Sequence, residues 1–381
     1  MTGSSQPLRV AHICQPTEYG VPTVVLDQLA DQVAAGLRPM LFCPSGGTLA
    51  ERAEQLGVPV RVWSATREPG VSVPAETRAL GRLLRADRPD LVHLQSAKAG
   101  LVGRLLVRGR IPTVYQPHAW SFHAARGLMH TAALRWERQA TRWTDRIVCA
   151  SAAEAAEGRA ARISGRLVVV NNGADLTRFT PQDAAARRAA RERLGVADDV
   201  PLAVCVGRIC PQKAQDVLVA AWPGVRQSLR DARCVFVGEG SDEVALRARA
   251  TDGLDFVGKV ADPRDWYAAA DVVVLPSRYE TNPLAVLEAM ASARCVVVSD
   301  VPSVCEPLPG GSTAIAPVDD PDALAGALVA RLRDRELAAR EGAANLAHVR
   351  ERHDVARSAA ALRGLYAEIT EEHPRGRRRT S

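Results

Sequence analysis

Aromatic residues make up only 4% of this 381-residue sequence, and several features that would fix a function class are missing from it. No apolar run approaches the ~20 residues needed to cross a bilayer, so no transmembrane helix is expected. The opening Met1-Thr-Gly-Ser-Ser-Gln-Pro7 is polar and lacks a signal-peptide core, which makes a cytoplasmic location the expectation. The eight cysteines (14, 43, 149, 205, 210, 234, 295 and 305) include no Cys-x-x-Cys pair. Most lie in or beside apolar strand-like runs, as buried reduced thiols do. A Gly-x-Gly-x-x-Gly fingerprint is absent after the first apolar run, which argues against a nicotinamide oxidoreductase. The net charge of +6 is modest for this length, and no nucleic-acid partner is expected. Four arginines in the end segment 371–381 make a basic tail, expected to be disordered and solvated. Contact with anionic lipid at the inner membrane face would be weak and peripheral, because stable attachment takes more than one signal.

What is present is a globular composition, 47% hydrophobic, on a chain long enough for two domains. Short apolar runs alternate with longer amphipathic stretches. Strands are expected at Leu8–Ile13, Pro39–Cys43, Val58–Trp63, Asp90–Leu94, Ile111–Pro117 and Arg146–Ala150, with helices over Thr23–Ala35, Ala75–Ala86 and Met129–Thr141. The pattern restarts at Pro201–Gly207 and continues through Cys234–Gly238, Asp255–Gly258, Asp271–Leu275 and Cys295–Ser299. Such alternation predicts an α/β fold of two successive doubly wound parallel sheets, with ligands at strand C-termini. The linker is expected between Asn172 and about Asp183.

The densest chemistry lies between Asp271 and Ala291. An apolar run ends at Pro276, a short loop carries Glu280, and Asn282 and Pro283 are suited to cap and open a helix that carries Glu288. The backbone N–H groups of that helix start form an anion site able to hold a nucleotide's diphosphate. Glu288 can then bond a ribose hydroxyl and Glu280 a sugar beyond the diphosphate. Two glutamates eight apart also occur on ordinary helices, so the pair needs its context. Part of that context is Gly207-Arg208-Ile-Cys-Pro-Gln-Lys213, where two cations five residues apart follow a strand. Arginine binds phosphate oxygens bidentately and lysine as a point charge. The candidate histidines are His118, His123 and His93, of which His118 is preferred as a site residue and His93 as a packing residue. Asp320-Pro-Asp322 matches a metal-binding Asp-x-Asp by letter, but reads better as a helix cap with proline in the first turn.

The stretch from Glu280 to Ala291 resembles the signature of the family 4 retaining glycosyltransferases of GT-B fold: Glu, two residues, Pro-Leu, then Leu-Glu-Ala-Met-Ala. Gly207-Arg208 and Lys213 are similar to the family's diphosphate-holding cations, and His118 to the histidine of its His-Gly-Phe segment. Leu91–Arg104 resembles a Val-His-x-x-x-x-Lys-Ala-Gly segment of relatives that build polysaccharides and lipid-linked oligosaccharides. Asn171–Phe179 resembles the element at the family's domain junction, and Val237-Gly238-Glu-Gly240 its Gly-x-Gly turn, read here as structural. The chain departs from the pattern at Ala119, Ala214, Thr281-Asn282, Ala293 and Pro302-Ser303, where the family usually or often has glycine. Of the glycine pair near the first strand only Gly20 remains.

The resemblance implies a GT-B architecture of two Rossmann-like domains facing a cleft. It divides into an acceptor-binding domain over 1–176, a nucleotide-sugar domain over 177–355, and a helix over 356–370 crossing back to the first domain. It implies a retaining, metal-independent hexosyl- or N-acetylhexosaminyltransferase. Such an enzyme uses a nucleotide-diphosphate sugar, with a UDP-sugar favoured over GDP-mannose, and an acceptor hydroxyl on an envelope glycan, glycolipid or secondary metabolite. Glu280 and His118 take catalytic roles in this reading. Arg208, Lys213, Glu288, Asn282, Pro283 and Leu284 hold the donor, and Gly20 serves the acceptor or phosphate loop. No cofactor is expected. A sugar-nucleotide epimerase of the same fold and a non-catalytic sugar-nucleotide-binding protein are the competing readings.

Overall fold

The computed structural model describes residues 6–66, 70–123, 125–311 and 314–373. The chain divides into two compact units. Unit 1 comprises residues up to Asn171 together with those from Ala356 onward, and unit 2 runs from Asn172 to Val355.

Unit 1 is a seven-stranded parallel sheet in the order β3-β2-β1-β4-β5-β6-β7. The strands are β1 (Arg9–Cys14), β2 (Arg38–Cys43), β3 (Val60–Val62), β4 (Leu91–Gln95), β5 (Thr113–Gln116), β6 (Arg146–Cys149) and β7 (Leu167–Val169). β4 and β5 are buried at every position. Helices cover both faces of a parallel sheet, so these central strands present no face to solvent, and their polar residues His93, Gln95, Thr113 and Gln116 are buried as well. The final helix, Val355–Glu372, lays Leu362, Leu365, Tyr366 and Ile369 on Val10, Leu91, Val114 and Val148. The expectation of a disordered tail from residue 371 is corrected at its first residues: Glu371 and Glu372 are helical, and Glu372 pairs with Arg146 and Arg166. Residues 374–381 lie outside the described residues.

Unit 2 repeats the theme with six parallel strands in the order β10-β9-β8-β11-β12-β13. They are β8 (Leu202–Val206), β9 (Arg233–Val237), β10 (Leu254–Gly258), β11 (Val272–Leu275), β12 (Cys295–Ser299) and β13 (Ala314–Ala316). Apolar residues such as Val204, Val273 and Val298 face one helical layer, and Cys205, Val274 and Val297 face the other. The eight cysteines are all free thiols, and all but Cys305 are buried. Among the described residues, no helix is long and apolar enough to cross a membrane.

Each sheet reverses its direction of growth once, between β1 and β4 in unit 1 and between β8 and β11 in unit 2. At such a point the loops leaving adjacent strands diverge and open a crevice at the strand C-termini. In unit 2 the segments after β8 and β11, at the reversal, carry the candidate side chains; in unit 1 the candidate residues follow β1 and β5, the latter one strand beyond the reversal.

Candidate active site

In unit 2 the loop leaving β8 carries Arg208 and Lys213, and the loop leaving β11 carries Glu280. The two loops are bound to each other. The Arg278 backbone N–H donates to the Gln212 carbonyl at 2.9 Å, and Gln212 Nε2 donates to the Tyr279 carbonyl at 3.1 Å. The Arg278 guanidinium bridges the Pro211 carbonyl, Asp216 and Asp319 at 2.7–3.1 Å. This bracing brings Lys213 Nζ into an ion pair with Glu280 Oε1, with both side chains largely buried. Ser277 Oγ donates to the same carboxylate oxygen at 3.0 Å. Ser303 Oγ holds the Glu280 backbone carbonyl. Arg208 is half-buried, and among the described residues no acidic side chain pairs with its guanidinium.

A third loop supports this one. A Cβ on Gly238 would lie 2.0 Å from the Gly207 carbonyl oxygen, and one on Gly240 would lie 2.0 Å from that of Ile209. Only glycine permits this approach. The Gly238–Gly240 turn is thus the backbone support beneath Arg208.

Glu288 sits in the helix Leu284–Ala291, where the Tyr267 hydroxyl donates to Oε2 at 2.8 Å. Desolvation raises the pKa of Glu288, opposed by the Tyr267 hydrogen bond and by Arg178. The expected cap is corrected. The helix begins at Leu284 behind an extended Pro283, and Asn282 makes no capping bond. Asn282 instead lies buried at φ 136°, with its carbonyl accepting from Asn172 Nδ2 at 2.9 Å. Backbone geometry displaced the cap: extended residues at an N-cap carry the side chain over the first turn, and φ 136° does not. Asp320, by contrast, caps its helix through the Ala323 N–H at 2.9 Å, with Pro321 in the first turn.

In unit 1, Gly20 opens the helix Gly20–Ala34, and a Cβ there would meet nothing within 4 Å. His118 follows β5 with φ 52°, and Ala119 follows it at φ 117°. Glu154 spans this turn, accepting from the Ala119 N–H at 3.2 Å and the Ala150 N–H at 2.6 Å. Burial pushes the Glu154 carboxyl up to about 7. His118 Nε2 is 2.6 Å from Gln95 Oε1, and burial pushes its pKa down to about 3. His93 is fully buried on β4, as a packing residue should be, while His123 pairs with Glu157 at 2.8 Å.

Sequence reasoning missed Tyr267, Ser277, Gln95 and Glu154. Gln95 had a signal: His93 and Gln95 stand two apart on an otherwise apolar strand, so both project to one face. The partners Tyr267 and Ser277 carried none.

The comparisons with known proteins agree with this architecture. Residues 200–334 match the model of the glycosyl transferases group 1, and residues 19–178 match that of glycosyltransferase family 4. A D-inositol 3-phosphate glycosyltransferase of Streptomyces scabiei is 33% identical over 76% of this chain and 70% of its own length. The chain belongs to glycosyltransferase family 4. Another relative is a GDP-mannose-dependent monoacylated alpha-(1-6)-phosphatidylinositol monomannoside mannosyltransferase of Corynebacterium glutamicum, 33% identical over 47% of this chain and 50% of its own. Among solved structures, Anabaena HepE in complex with UDP and glucose superposes with a TM-score of 0.82 at 20% identity, covering 94% of this chain and 99% of its own. A sucrose-phosphate synthase from Thermosynechococcus elongatus gives a TM-score of 0.82 at 20% identity, over 96% and 100%. The fold of this family 4 glycosyltransferase is therefore GT-B, and its reaction class is sugar transfer.

Four of the places where family glycines are missing keep the glycine-type backbone, whereas Pro302 and Ser303 open a short helix. Ala119, Ala214, Asn282 and Ala293 adopt φ of 117°, 52°, 136° and 55°. The backbone path survives without the residue that favours it.

Proposed function

We propose that this protein is a retaining glycosyltransferase that takes a sugar from a nucleotide diphosphate and passes it to an acceptor hydroxyl. The observation that carries the reading is the Lys213–Glu280 pair at the reversal point of the unit 2 sheet, beside an Arg208 that pairs with no acid among the described residues. Arg208 and Lys213 bind the donor diphosphate, with the start of the helix Leu284–Ala291 and the residues Asn282, Pro283 and Leu284 beside it. Their charge stabilises the negative charge that develops on the departing nucleotide. Glu288, steadied by Tyr267, accepts from the ribose hydroxyls, and Glu280 binds the transferred sugar. The two cations take over the neutralising role that a divalent ion plays elsewhere, so transfer proceeds without an essential metal.

Unit 1 supplies the acceptor side, with Gly20 at the opening of its first long helix and His118 bonding a sugar hydroxyl. The departing phosphate helps deprotonate the acceptor on the same face, which retains the anomeric configuration. A UDP-sugar is the favoured donor, in line with the UDP and glucose named for the HepE complex. GDP-mannose is the second donor to test, since the Corynebacterium relative is named for it. An inositol phosphate is the first acceptor to try, followed by lipid-linked envelope glycans and secondary metabolites.

The test is incubation with UDP- and GDP-sugars, with and without acceptor and EDTA. Nucleoside diphosphate release and product anomeric configuration are followed by NMR. Acceptor-dependent release with retained configuration in EDTA supports the reading. Donor consumption without acceptor turns it into the epimerase reading, and binding without turnover into the non-catalytic one.

A further inference from the structure

A chain of buried polar side chains crosses unit 1 beneath His118. His12 on β1, His93 and Gln95 on β4, Gln116 on β5, and Gln28 and Gln32 on the helix Gly20–Ala34 are all buried, as is Tyr366 on the final helix. Their bonds have a consistent direction. Gln95 Nε2 donates to Gln28 Oε1 at 2.7 Å, an orientation of the amide that leaves its carbonyl oxygen for His118. Its second N–H lies 3.3 Å from His12 Nδ1 and 3.3 Å from His93 Nδ1. With Nδ1 as acceptor, His12 carries its proton on Nε2 and donates to Gln32 Oε1 at 3.1 Å. The Tyr366 hydroxyl lies 2.6 Å from His93 Nδ1. Gln28 Nε2 donates onward to Gln116 Oε1 at 3.1 Å.

One group in the chain points at the candidate site. With its NH2 committed inward, Gln95 presents Oε1 to His118 Nε2 at 2.6 Å. A carbonyl oxygen only accepts, so Nε2 must carry the proton. In a neutral imidazole the other nitrogen is then an acceptor, and no described residue bonds His118 Nδ1. The histidine is already held in a turn with positive φ at both His118 and Ala119, so its ring position and its proton are set independently.

We propose that Gln95 is a positioning residue that fixes His118 as the neutral Nε2–H tautomer and so reserves Nδ1 as a hydrogen-bond acceptor for a sugar hydroxyl. The proposal rests on the reading of His118 as a site residue. His12, Gln28 and Gln32 then act together, holding the Gln95 amide against the flip that would turn its NH2 toward His118. A flipped amide would ask His118 Nε2 to accept, leaving Nδ1 protonated and unable to receive a hydroxyl donor.

The test is long-range nitrogen–proton NMR on the full chain labelled at histidine, with His118 assigned by the loss of its signals in His118→Ala. The expected spectrum at pH 7.5 shows a protonated Nε2 and a bare Nδ1. A proton on Nδ1, or an imidazolium, overturns the proposal without need of any Gln95 variant. Gln95→Leu is expected to lower kcat/KM for transfer about 10-fold, the scale of one neutral hydrogen bond, while nucleoside diphosphate affinity stays within about 2-fold. Gln95→Glu keeps an acceptor opposite Nε2 and should recover part of that loss. Unchanged transfer in Gln95→Leu, or an equal loss in Gln95→Glu and Gln95→Leu, overturns the positioning role. If His118→Ala retains full transfer while the wild-type tautomer is as expected, the site reading fails and the function given to Gln95 fails with it, although the tautomer assignment stands.

Discussion

Glu280→Gln should separate nucleotide binding from turnover, because in the proposed donor site Lys213 serves both Glu280 and the diphosphate. Without a ligand, Lys213 is neutralised by Glu280, and both side chains are largely withdrawn from water, at 17% and 8% exposure. A diphosphate that recruits Lys213 must compete with that pair. An ion pair of this partial burial is worth about 1–2 kcal/mol, between the surface value and that of a fully buried pair. Glutamine keeps the size and the Ser277 hydrogen bond but removes the charge. UDP should therefore bind Glu280→Gln about 5- to 30-fold more tightly than wild type, the equivalent of 1–2 kcal/mol. Transfer should still fall by ~100-fold or more, because the transferred sugar loses its charged contact. Lys213→Ala should weaken UDP binding and transfer together. Isothermal titration with UDP, or with whichever diphosphate binds, alongside steady-state kinetics, reads both quantities. Weaker UDP binding by Glu280→Gln, at the level of Lys213→Ala, would refute the competition between carboxylate and phosphate. Near-normal turnover in both variants would sink the donor-site assignment.

Three further outcomes follow from the geometry. Ala119→Gly, Ala214→Gly and Ala293→Gly should each stabilise the protein by about 0.5–1 kcal/mol in thermal or urea unfolding. Relief of a positive-φ alanine, about 1–2 kcal/mol, exceeds the extra unfolded-state entropy of glycine. Destabilisation by all three would show that their φ values are misjudged. Gly240→Ala should lower the melting temperature and weaken diphosphate binding together, since its Cβ would overlap the Ile209 carbonyl beside Arg208; unchanged affinity would free that turn of any supporting role. Glu154 contributes a pH dependence whose sign follows from its raised pKa. Its carboxyl is stable when protonated, so its contribution is complete below about 4.5 and is lost as pH rises through about 7, by at most ~3 kcal/mol. The stability of wild type minus that of Glu154→Leu should therefore fall between pH 5 and pH 8, and a flat or rising difference would contradict the assignment.

The legible part of this protein was whatever periodicity and spacing carry. Fully buried parallel strands such as Val272–Leu275 announce themselves as apolar runs, and the restart at Pro201 marked the second sheet. Strand ends and helix starts were less legible: β3 is confined to Val60–Val62, and the helix expected from Thr23 begins at Gly20. Those limits are set by where neighbouring strands pair, which is tertiary information. The same holds at the site. Lys213 and Glu280 could be picked out by type and position, but their direct pairing depends on the Arg278 bracing that joins two loops 67 residues apart in sequence. Asn282 failed as a cap because its φ is set by the surrounding loop, whereas Asp320, followed by proline and a plain helical stretch, succeeded on local grounds. The missing glycines read as departures, yet at Ala119, Ala214, Asn282 and Ala293 the backbone kept a positive φ, because the packing around these turns outweighs a penalty of about 1–2 kcal/mol.

The proposed binding of a nucleoside diphosphate by unit 2, through Arg208, Lys213 and Glu288, is the step on which every other proposed role depends. Differential scanning fluorimetry against UDP, GDP, dTDP and NAD at matched concentrations, with and without EDTA, measures it. A ligand at 100 times its Kd stabilises a fold by about 2.7 kcal/mol. The melting temperature should rise with one nucleoside diphosphate, by an amount unchanged by EDTA and lost in the Arg208→Ala, Lys213→Ala double variant. No shift with any diphosphate, or a shift with NAD alone, would mean that unit 2 is not a nucleoside diphosphate site.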